Sequence, residues 1–148
     1  MTPSIDVTAE RTMSAPPERV AAVMFDPAND PAWMKAVRTA VRQPSDAGSP
    51  PQIRRTGRFL GRTIRWTTEV MEHDPPRRLR LRIVDGPFVG DVIYEIEPHA
   101  SGSTVRIRNV GEAGQFRFLP RALTMAAMRS ALRADLARLS ALVEREAP

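Results

Sequence analysis

The sequence contains no cysteine and only two histidines, His73 and His99. Without cysteine there are no disulfide bonds, no thiol catalysis and no cysteine-ligated metal site. Two histidines also exclude a histidine-rich metal site, and both fall at a strand end or a turn, where we expect them on the surface. No nucleophile motif and no phosphate-binding loop is found. We therefore expect no cofactor and no metal, and the sequence identifies no catalytic residue.

Long apolar runs are missing as well. No segment approaches the roughly 18–20 consecutive apolar residues that span a bilayer, so no transmembrane segment is expected. The first residues, 1–12, are polar and strand-like rather than basic and then apolar, which argues against a secretory signal. The length fits one domain over residues 1–148, and we expect that domain to be cytoplasmic.

Lysine is almost absent: of the 22 basic residues all but Lys35 are arginine, and the net charge is +5. A basic balance invites a nucleic-acid interpretation. The arginines, however, alternate with apolar residues along predicted strands and face acidic residues on the neighbouring strands. One such outer-face row is predicted to run Arg54, Glu69, Arg80, Asp91 with alternating sign. We therefore expect exposed ion pairs and no nucleic-acid partner.

The most regular pattern is in the C-terminal stretch, residues 116–148. Apolar residues recur there every three or four positions, which predicts a helix of about 27 residues, roughly 40 Å long. Pro120 fits its first turn, where the missing N–H is tolerated. The predicted apolar stripe consists of Leu119, Leu123, Ala126, Ala127, Ala131, Leu132, Leu136, Leu139, Leu142 and Val143.

The preceding residues predict a sheet. Ile5, Val7 and Ala9 alternate with polar residues, as in a half-buried strand. Two short helices follow, one after Ser14 and one over residues 32–36. Further strands are predicted at 37–41, 53–60, 63–73, 77–84, 88–97 and 104–110, with a loop at 43–52.

Turn signals set the expected register of these strands. A turn at Gly61-Arg62 would pair Phe59 with Ile64 and Arg55 with Thr68. A two-residue turn at Asp85-Gly86 would pair Ile83 with Phe88. The next pairings expected are Val70 with Leu79, and Ile96 with Val105.

The inner face of this sheet is broad and apolar, and the helix opposite it is rich in alanine. Small side chains need not fill the space under a bent sheet, so we expect a cavity there; close alanine packing is the alternative. Alternation also places Arg55, Thr68, Tyr94 and Asn109 on the inner face. Tyr94 could donate to a ligand carbonyl and Arg55 could hold a carboxylate or enolate. Equally, Tyr94 could be a core residue and Arg55 could extend to solvent.

Taken in order, these segments resemble the START-like (SRPBCC) superfamily, in particular its polyketide cyclase/dehydrase-like branch. The resemblance rests on Ser14-Ala-Pro-Pro-Glu-Arg-Val20, Asp26…Asn29-Asp-Pro-Ala-Trp33, Trp66-Thr-Thr-Glu-Val70, Glu72-His-Asp-Pro-Pro-Arg-Arg-Leu79, Asp85-Gly-Pro-Phe88, Tyr94-Glu-Ile-Glu97, Gly102-Ser-Thr-Val105 and the terminal helix. It implies an α+β helix-grip fold: a seven-stranded curved antiparallel sheet wrapped around the C-terminal helix, with two short helices after strand 1 and a deep hydrophobic pocket.

The expected function is binding or transport of a small hydrophobic ligand (lipid, polyketide-like or aromatic) in that pocket. A polyketide cyclase/dehydrase-type enzyme is the alternative, and an interaction protein acting through its basic helix surface is a third. The sequence leaves monomer and dimer open. The residues expected to bind ligand are Trp33, Arg55, Phe59, Trp66, Thr68, Leu81, Tyr94, Asn109, Phe116, Leu119, Leu123 and Ala127.

Overall fold

The computed structural model describes residues 5–44, 46 and 48–145, and the elements in these ranges follow the predicted order. The predicted loop and C-terminal stretch include Ser45, Ala47 and residues 146–148, which lie outside the described ranges. The strands are β1 (Ile5–Met13), β2 (Val37–Gln43), β3 (Gln52–Phe59), β4 (Arg62–Asp74), β5 (Arg78–Asp85), β6 (Val89–His99) and β7 (Gly102–Glu112). The helices are α1 (Pro17–Met24), α2 (Asp30–Trp33) and α3 (Arg121–Arg145), with 3₁₀ turns at Pro27–Asn29 and Gly114–Phe116.

All seven of these strands form one antiparallel sheet in the order β1-β7-β6-β5-β4-β3-β2. The first strand, β1, is one edge of the sheet and pairs with the last strand, β7. The other edge of the sheet is β2. The long helix α3 packs on β1 and on the short helix α2. This arrangement confirms the predicted α+β helix-grip fold.

The second short helix lies earlier in the chain than predicted, at Asp30–Trp33 rather than at residues 32–36. The short connection from α2 to β2 contacts β3, where the Arg58 N–H donates to the Ala36 carbonyl oxygen at 2.8 Å. Gly57 makes this approach possible, because a Cβ at that position would lie 1.6 Å from the same oxygen. The junction fixes α2 against the inner face of the sheet.

The β3–β4 hairpin turns one residue earlier than predicted, at Leu60-Gly61. Both residues have positive φ, 52° and 78°, as a two-residue turn with primed geometry requires. Phe59 therefore pairs with Arg62, and Arg55 pairs with Trp66 rather than with Thr68.

The β5–β6 hairpin differs in the same way, because residues 86–88 form a longer connection. Ile83 pairs with Gly90 rather than with Phe88, and on the next strand pair Val70 is opposite Leu81 rather than Leu79. These slips are of two residues, so the side chains around them keep their predicted faces. Beyond Val70, a bulge in β4 exchanges the faces, and His73 rather than Glu72 is opposite an inward residue, Leu79.

On β6 and β7 the predicted register is confirmed, with Ile96 opposite Val105. The loop between these strands is short and contains the turn residues that the sequence marks, so little freedom remains for a slip.

The apolar stripe on α3 is partly wrong. The helix begins at Arg121, just after Pro120. Leu123 is 55% exposed and Ala126 is also exposed, whereas Thr124 is buried in their place. The prediction holds from Leu132 onwards; the buried residues of α3 are Thr124, Met128, Leu132, Asp135, Leu136, Leu139, Ser140 and Val143.

The predicted outer-face row is partly confirmed: Arg80 pairs with Asp91, whereas Glu69 is opposite Gln52 and accepts from its Nε2 at 3.0 Å. Asp91 accepts from Arg80 Nε at 2.8 Å and from Arg82 Nε at 3.2 Å. At the other edge Arg106 Nε donates to Glu10 at 2.9 Å. Exposed pairs of this kind contribute about 0.2–1 kcal/mol each.

Replacing Leu139 with alanine is expected to lower the free energy of unfolding by about 2–5 kcal/mol, because the side chain is buried in the core. Leu123→Ala on the same helix is the matched control, with an expected change within about 0.5 kcal/mol. Urea unfolding measures both. Similar losses for the two variants would contradict this placement of the buried face of α3.

Candidate functional site

A cavity of about 140 Å³ lies between the inner face of the sheet and α3. Its wall is mainly apolar because the inward positions of the strands are branched or aromatic residues. The apolar residues that line it include Ile64, Trp66, Leu81, Ile83, Phe88, Val92 and Ile107 from the sheet, and Met128, Ala131 and Leu132 from α3.

The inner end of the cavity contains a buried ion pair. Arg55 of β3 donates from Nε to Asp30 Oδ2 at 2.7 Å and from Nη1 to Thr68 Oγ1 at 2.7 Å. The side chains of Arg55 and Asp30 are 5% and 2% exposed. Burial raises the pKa of the Asp30 carboxyl, while the Arg55 guanidinium acts in the opposite direction. Arg55 thus stays inside and does not extend to solvent.

A second buried carboxylate, Asp135 of α3, lines the same end of the cavity. It accepts from the backbone N–H of Lys35 at 3.2 Å and from Arg138. Arg138 also donates from Nε to the Trp33 carbonyl oxygen at 3.1 Å. These contacts join α3 to the end of α2. Burial raises the pKa of Asp135, and its hydrogen bonds act against that shift.

Tyr94 is 2% exposed and forms part of the wall beside these groups. Its hydroxyl points to the Met34 sulfur at 4.0 Å, a weak acceptor. Burial raises the pKa of Tyr94, and the carboxylate of Asp30 adds to the effect, so the phenol stays protonated. Further along the wall, Asn109 Oδ1 is buried and has no hydrogen-bond partner within the described residues.

The outer end of the cavity is bordered by aromatic rings. Phe88 stacks on Phe116 at 5.1 Å between ring centroids, and Phe59 meets Phe116 edge-on at 5.5 Å. The guanidinium of Arg62 lies over the Phe118 ring at 5.0 Å. We take this end as the mouth, where β6 begins at Val89 and the residues Pro87, Phe88 and Val89 line the cavity.

The structure brings seven of the twelve predicted ligand-binding residues to the cavity wall. They are Arg55, Phe59, Trp66, Thr68, Leu81, Tyr94 and Asn109. Contact of these seven with a ligand remains a prediction.

The other five lie outside the wall. Trp33 is fully buried and meets Tyr94 edge-on at 6.0 Å, and Phe116 is buried behind the rings of the mouth. Leu119 is half-buried outside the lining, because it precedes the start of α3 at Arg121. Ala127 is half-buried and Leu123 is exposed, because the buried face of α3 is rotated from the predicted stripe.

Sequence reasoning missed Asp30 and Asp135. Asp30 is in the first turn of α2, where an acidic residue is ordinarily explained by the helix dipole. The position of Asp135 in the sequence indicates burial, because it lies between Leu132 and Leu136 within the three- and four-residue spacing of the inward face of α3. A charge at such a position indicates a buried pair or a site.

Removing the Arg55 cation tests the inner-end ion pair. Arg55→Met is expected to lose about 3–5 kcal/mol of stability at neutral pH, because it leaves the Asp30 carboxylate uncompensated. Asp30→Leu combined with Arg55→Met should recover most of the loss. Urea unfolding measures all three proteins.

The deficit of Arg55→Met should also depend on pH. Loss of the cation moves the pKa of Asp30 further above its ordinary 3.8, so the folded variant takes up a proton that the unfolded chain does not. The variant therefore loses stability as the pH rises through the raised pKa of Asp30, and acidification restores that stability. The deficit against the wild type should therefore be smaller near pH 5 than at pH 7; an equal deficit at both would contradict the assignment.

Within the described ranges, no helix combines the length and the apolar character needed to cross a membrane. The same ranges hold no cluster of three or more histidine, aspartate or glutamate side chains arranged to hold a metal.

Comparison with known proteins identifies the family. The family described as polyketide cyclase / dehydrase and lipid transport matches residues 4–144. The structure of TTHA0849 from Thermus thermophilus is similar, with 25% identity, a TM-score of 0.83, and coverage of 97% of this chain and 100% of that one. A START superfamily protein from Mycobacterium smegmatis shares 16% identity, with a TM-score of 0.79 and coverage of 97% and 98%. A search of curated proteins gives no significant match. The START superfamily structure shows the same fold, and the match over residues 4–144 shows that the chain belongs to the polyketide cyclase/dehydrase and lipid-transport family.

Proposed function

We propose that the protein binds a small hydrophobic molecule, a lipid, polyketide-like or aromatic compound, in the cavity between the sheet and α3. The observation that carries the proposal is an apolar cavity of about 140 Å³ that opens at one end and contains polar groups at the other. An apolar cavity of about 150 Å³ in another protein holds benzene. The inner space therefore suits one ring or a short branched chain, and a longer ligand would extend towards Phe88 and the mouth.

Apolar burial alone supports only weak binding here. Removing an apolar group of the size of a leucine or phenylalanine side chain from water contributes about 3 kcal/mol. That corresponds to a dissociation constant of several mM, about 6 mM before ordering costs, on the order of weak fragment binding. Tighter binding requires either a longer ligand or hydrogen bonds to the polar inner end.

The first test is native mass spectrometry of the purified protein, followed by organic extraction. A discrete added mass that extracts as a lipid or aromatic compound would support the proposal and identify the ligand class. A mass equal to the bare chain, together with no binding of the neutral fluorophore N-phenylnaphthylamine, would contradict it.

Filling the cavity should abolish binding. Met128→Trp places a larger ring in the space beside Leu132 and is expected to weaken N-phenylnaphthylamine binding by about tenfold or more. Leu123→Trp is the matched control, since that side chain is on the same helix but 55% exposed, and should change affinity by less than about twofold. Fluorescence titration measures both, and circular dichroism checks that each variant folds. Equal effects would place the binding site elsewhere.

An enzymatic use of the same cavity is the second candidate. It is favoured by Asp135, a buried carboxyl with a raised pKa that lines the cavity together with Tyr94, because such groups can hold and deliver a proton. A carrier should contain the same bound compound in the wild type, Asp135→Asn and Tyr94→Phe. A dehydrase should yield different compounds, with the variant retaining one heavier by the mass of a water molecule. Identical extracts from all three proteins would exclude this candidate.

A further inference from the structure

The charged groups around the cavity are unfavourable for an anionic ligand. Four ionisable acidic or basic residues line it, the arginine Arg55 and the acids Asp91, Glu112 and Asp135. The Asp91 carboxylate is compensated by Arg80 and Arg82 on the outer face, so the acid that matters at the inner end is Asp135. Arg55 is already compensated, since its Nε donates to Asp30 at 2.7 Å and its Nη1 donates to Thr68. A ligand carboxylate at the inner end would lose its hydration and meet the negative charge of Asp135 without gaining an unpaired cation.

A cationic ligand is disfavoured for a related reason. The carboxylate of Asp135 already accepts from the Lys35 amide and from Arg138, so its charge is partly compensated. A ligand ammonium group would also share the cavity with the buried guanidinium of Arg55, which lines the same wall. Neither sign of charge therefore fits the inner end.

The hydrogen-bonding capacity of the inner end is, by contrast, incompletely used. The Tyr94 hydroxyl contacts the Met34 sulfur at 4.0 Å, and no oxygen or nitrogen acceptor in the described part of the chain engages it. The backbone N–H of the next residue, Lys35, donates to Asp135, so the phenol and the carboxylate contact consecutive residues of the chain, and both line the cavity. A donor in a cavity wall without a strong acceptor is costly unless a ligand supplies one.

We infer that the inner end of the cavity is a subsite for an uncharged hydroxyl group, carried by a phenol or alcohol of single-ring size, and that it rejects a carboxylate of the same shape. The oxygen of the ligand hydroxyl accepts a hydrogen bond from the Tyr94 hydroxyl. The ligand O–H in turn donates a hydrogen bond to the carboxylate of Asp135. A hydroxyl suits both because it is donor and acceptor at once. The inference rests on the proposed function and specifies the ligand that the cavity selects.

Calorimetric titration at pH 7 with four matched probes tests the subsite. The probes are p-cresol, p-xylene, p-toluate and p-methylbenzylamine, which carry a hydroxyl, a methyl, a carboxylate and an ammonium on similar rings. The wild type should bind p-cresol about tenfold more tightly than p-xylene, because p-cresol gains one or two hydrogen bonds that p-xylene lacks. The two charged probes should bind at least about tenfold more weakly than p-cresol.

Two conservative variants separate the hydrogen bond from the charge. Tyr94→Phe removes one oxygen and should reduce the preference for p-cresol over p-xylene to about twofold or less. Asp135→Asn keeps an acceptor and removes the charge, so p-cresol affinity should stay within about threefold while p-toluate affinity rises. Leu123→Ala, outside the cavity, should leave all four affinities unchanged. Thermal melts check folding, and Tyr94→Phe alone decides the hydrogen bond if Asp135→Asn does not fold.

The outcomes distinguish failure of the subsite from failure of the proposed function. If p-xylene or either charged probe binds as tightly as p-cresol, the inference is overturned while the cavity remains a hydrophobic site. If no ring probe binds but N-phenylnaphthylamine does, the inference is overturned as well, because the inner end then takes no single-ring ligand. If neither the ring probes nor the fluorophore bind, the proposed function itself fails.

Discussion

The buried ion pair between Asp30 and Arg55 attaches α2 to β3, and the position of the long helix depends on that attachment. With α2 fixed, the backbone at its end and just beyond it bonds to α3: Arg138 donates to the carbonyl oxygen of Trp33, the last residue of α2, and Asp135 accepts from the N–H of Lys35. On its other side α3 packs on β1. The helix is thus supported at two edges of the sheet, and the space between the supports is the cavity. The polar groups of the inner end are therefore both structural and part of the cavity wall.

Two kinds of buried polar group occur in this wall, and they have different consequences. Arg55 and Asp135 are paired, so their burial is tolerated as long as each partner remains. Tyr94 and Asn109 each present an atom that lacks a good partner among the described residues. Such a group costs about 1–3 kcal/mol, and a ligand that bonds to it offsets that cost. The proposed ligand selectivity therefore depends on Tyr94, whereas the Asp30–Arg55 pair contributes to the stability of the fold.

The fold follows from the sequence more closely than the site does. Period-two alternation in β1 and the turn signals between β6 and β7 determine faces and register, and both are confirmed. The two-residue slips at Leu60-Gly61 and after Asp85 escape prediction because they leave the side chains around them on their predicted faces. Leu123 was misplaced because Thr124 occupies the buried row of α3 instead. Asp30 could not be identified as a partner of Arg55, since that contact joins residues 25 positions apart through a helix whose start was itself misplaced.

The open apolar cavity between α3 and the sheet is the feature on which the proposed function depends, and a crystal structure under xenon pressure tests it most directly. Xenon enters dry apolar cavities of this size. We expect a xenon peak, or density for a molecule carried through purification, between Leu81, Phe88 and Met128. Side chains of α3 closing onto the sheet, with no xenon and no ligand density between them, would contradict the presence of the cavity.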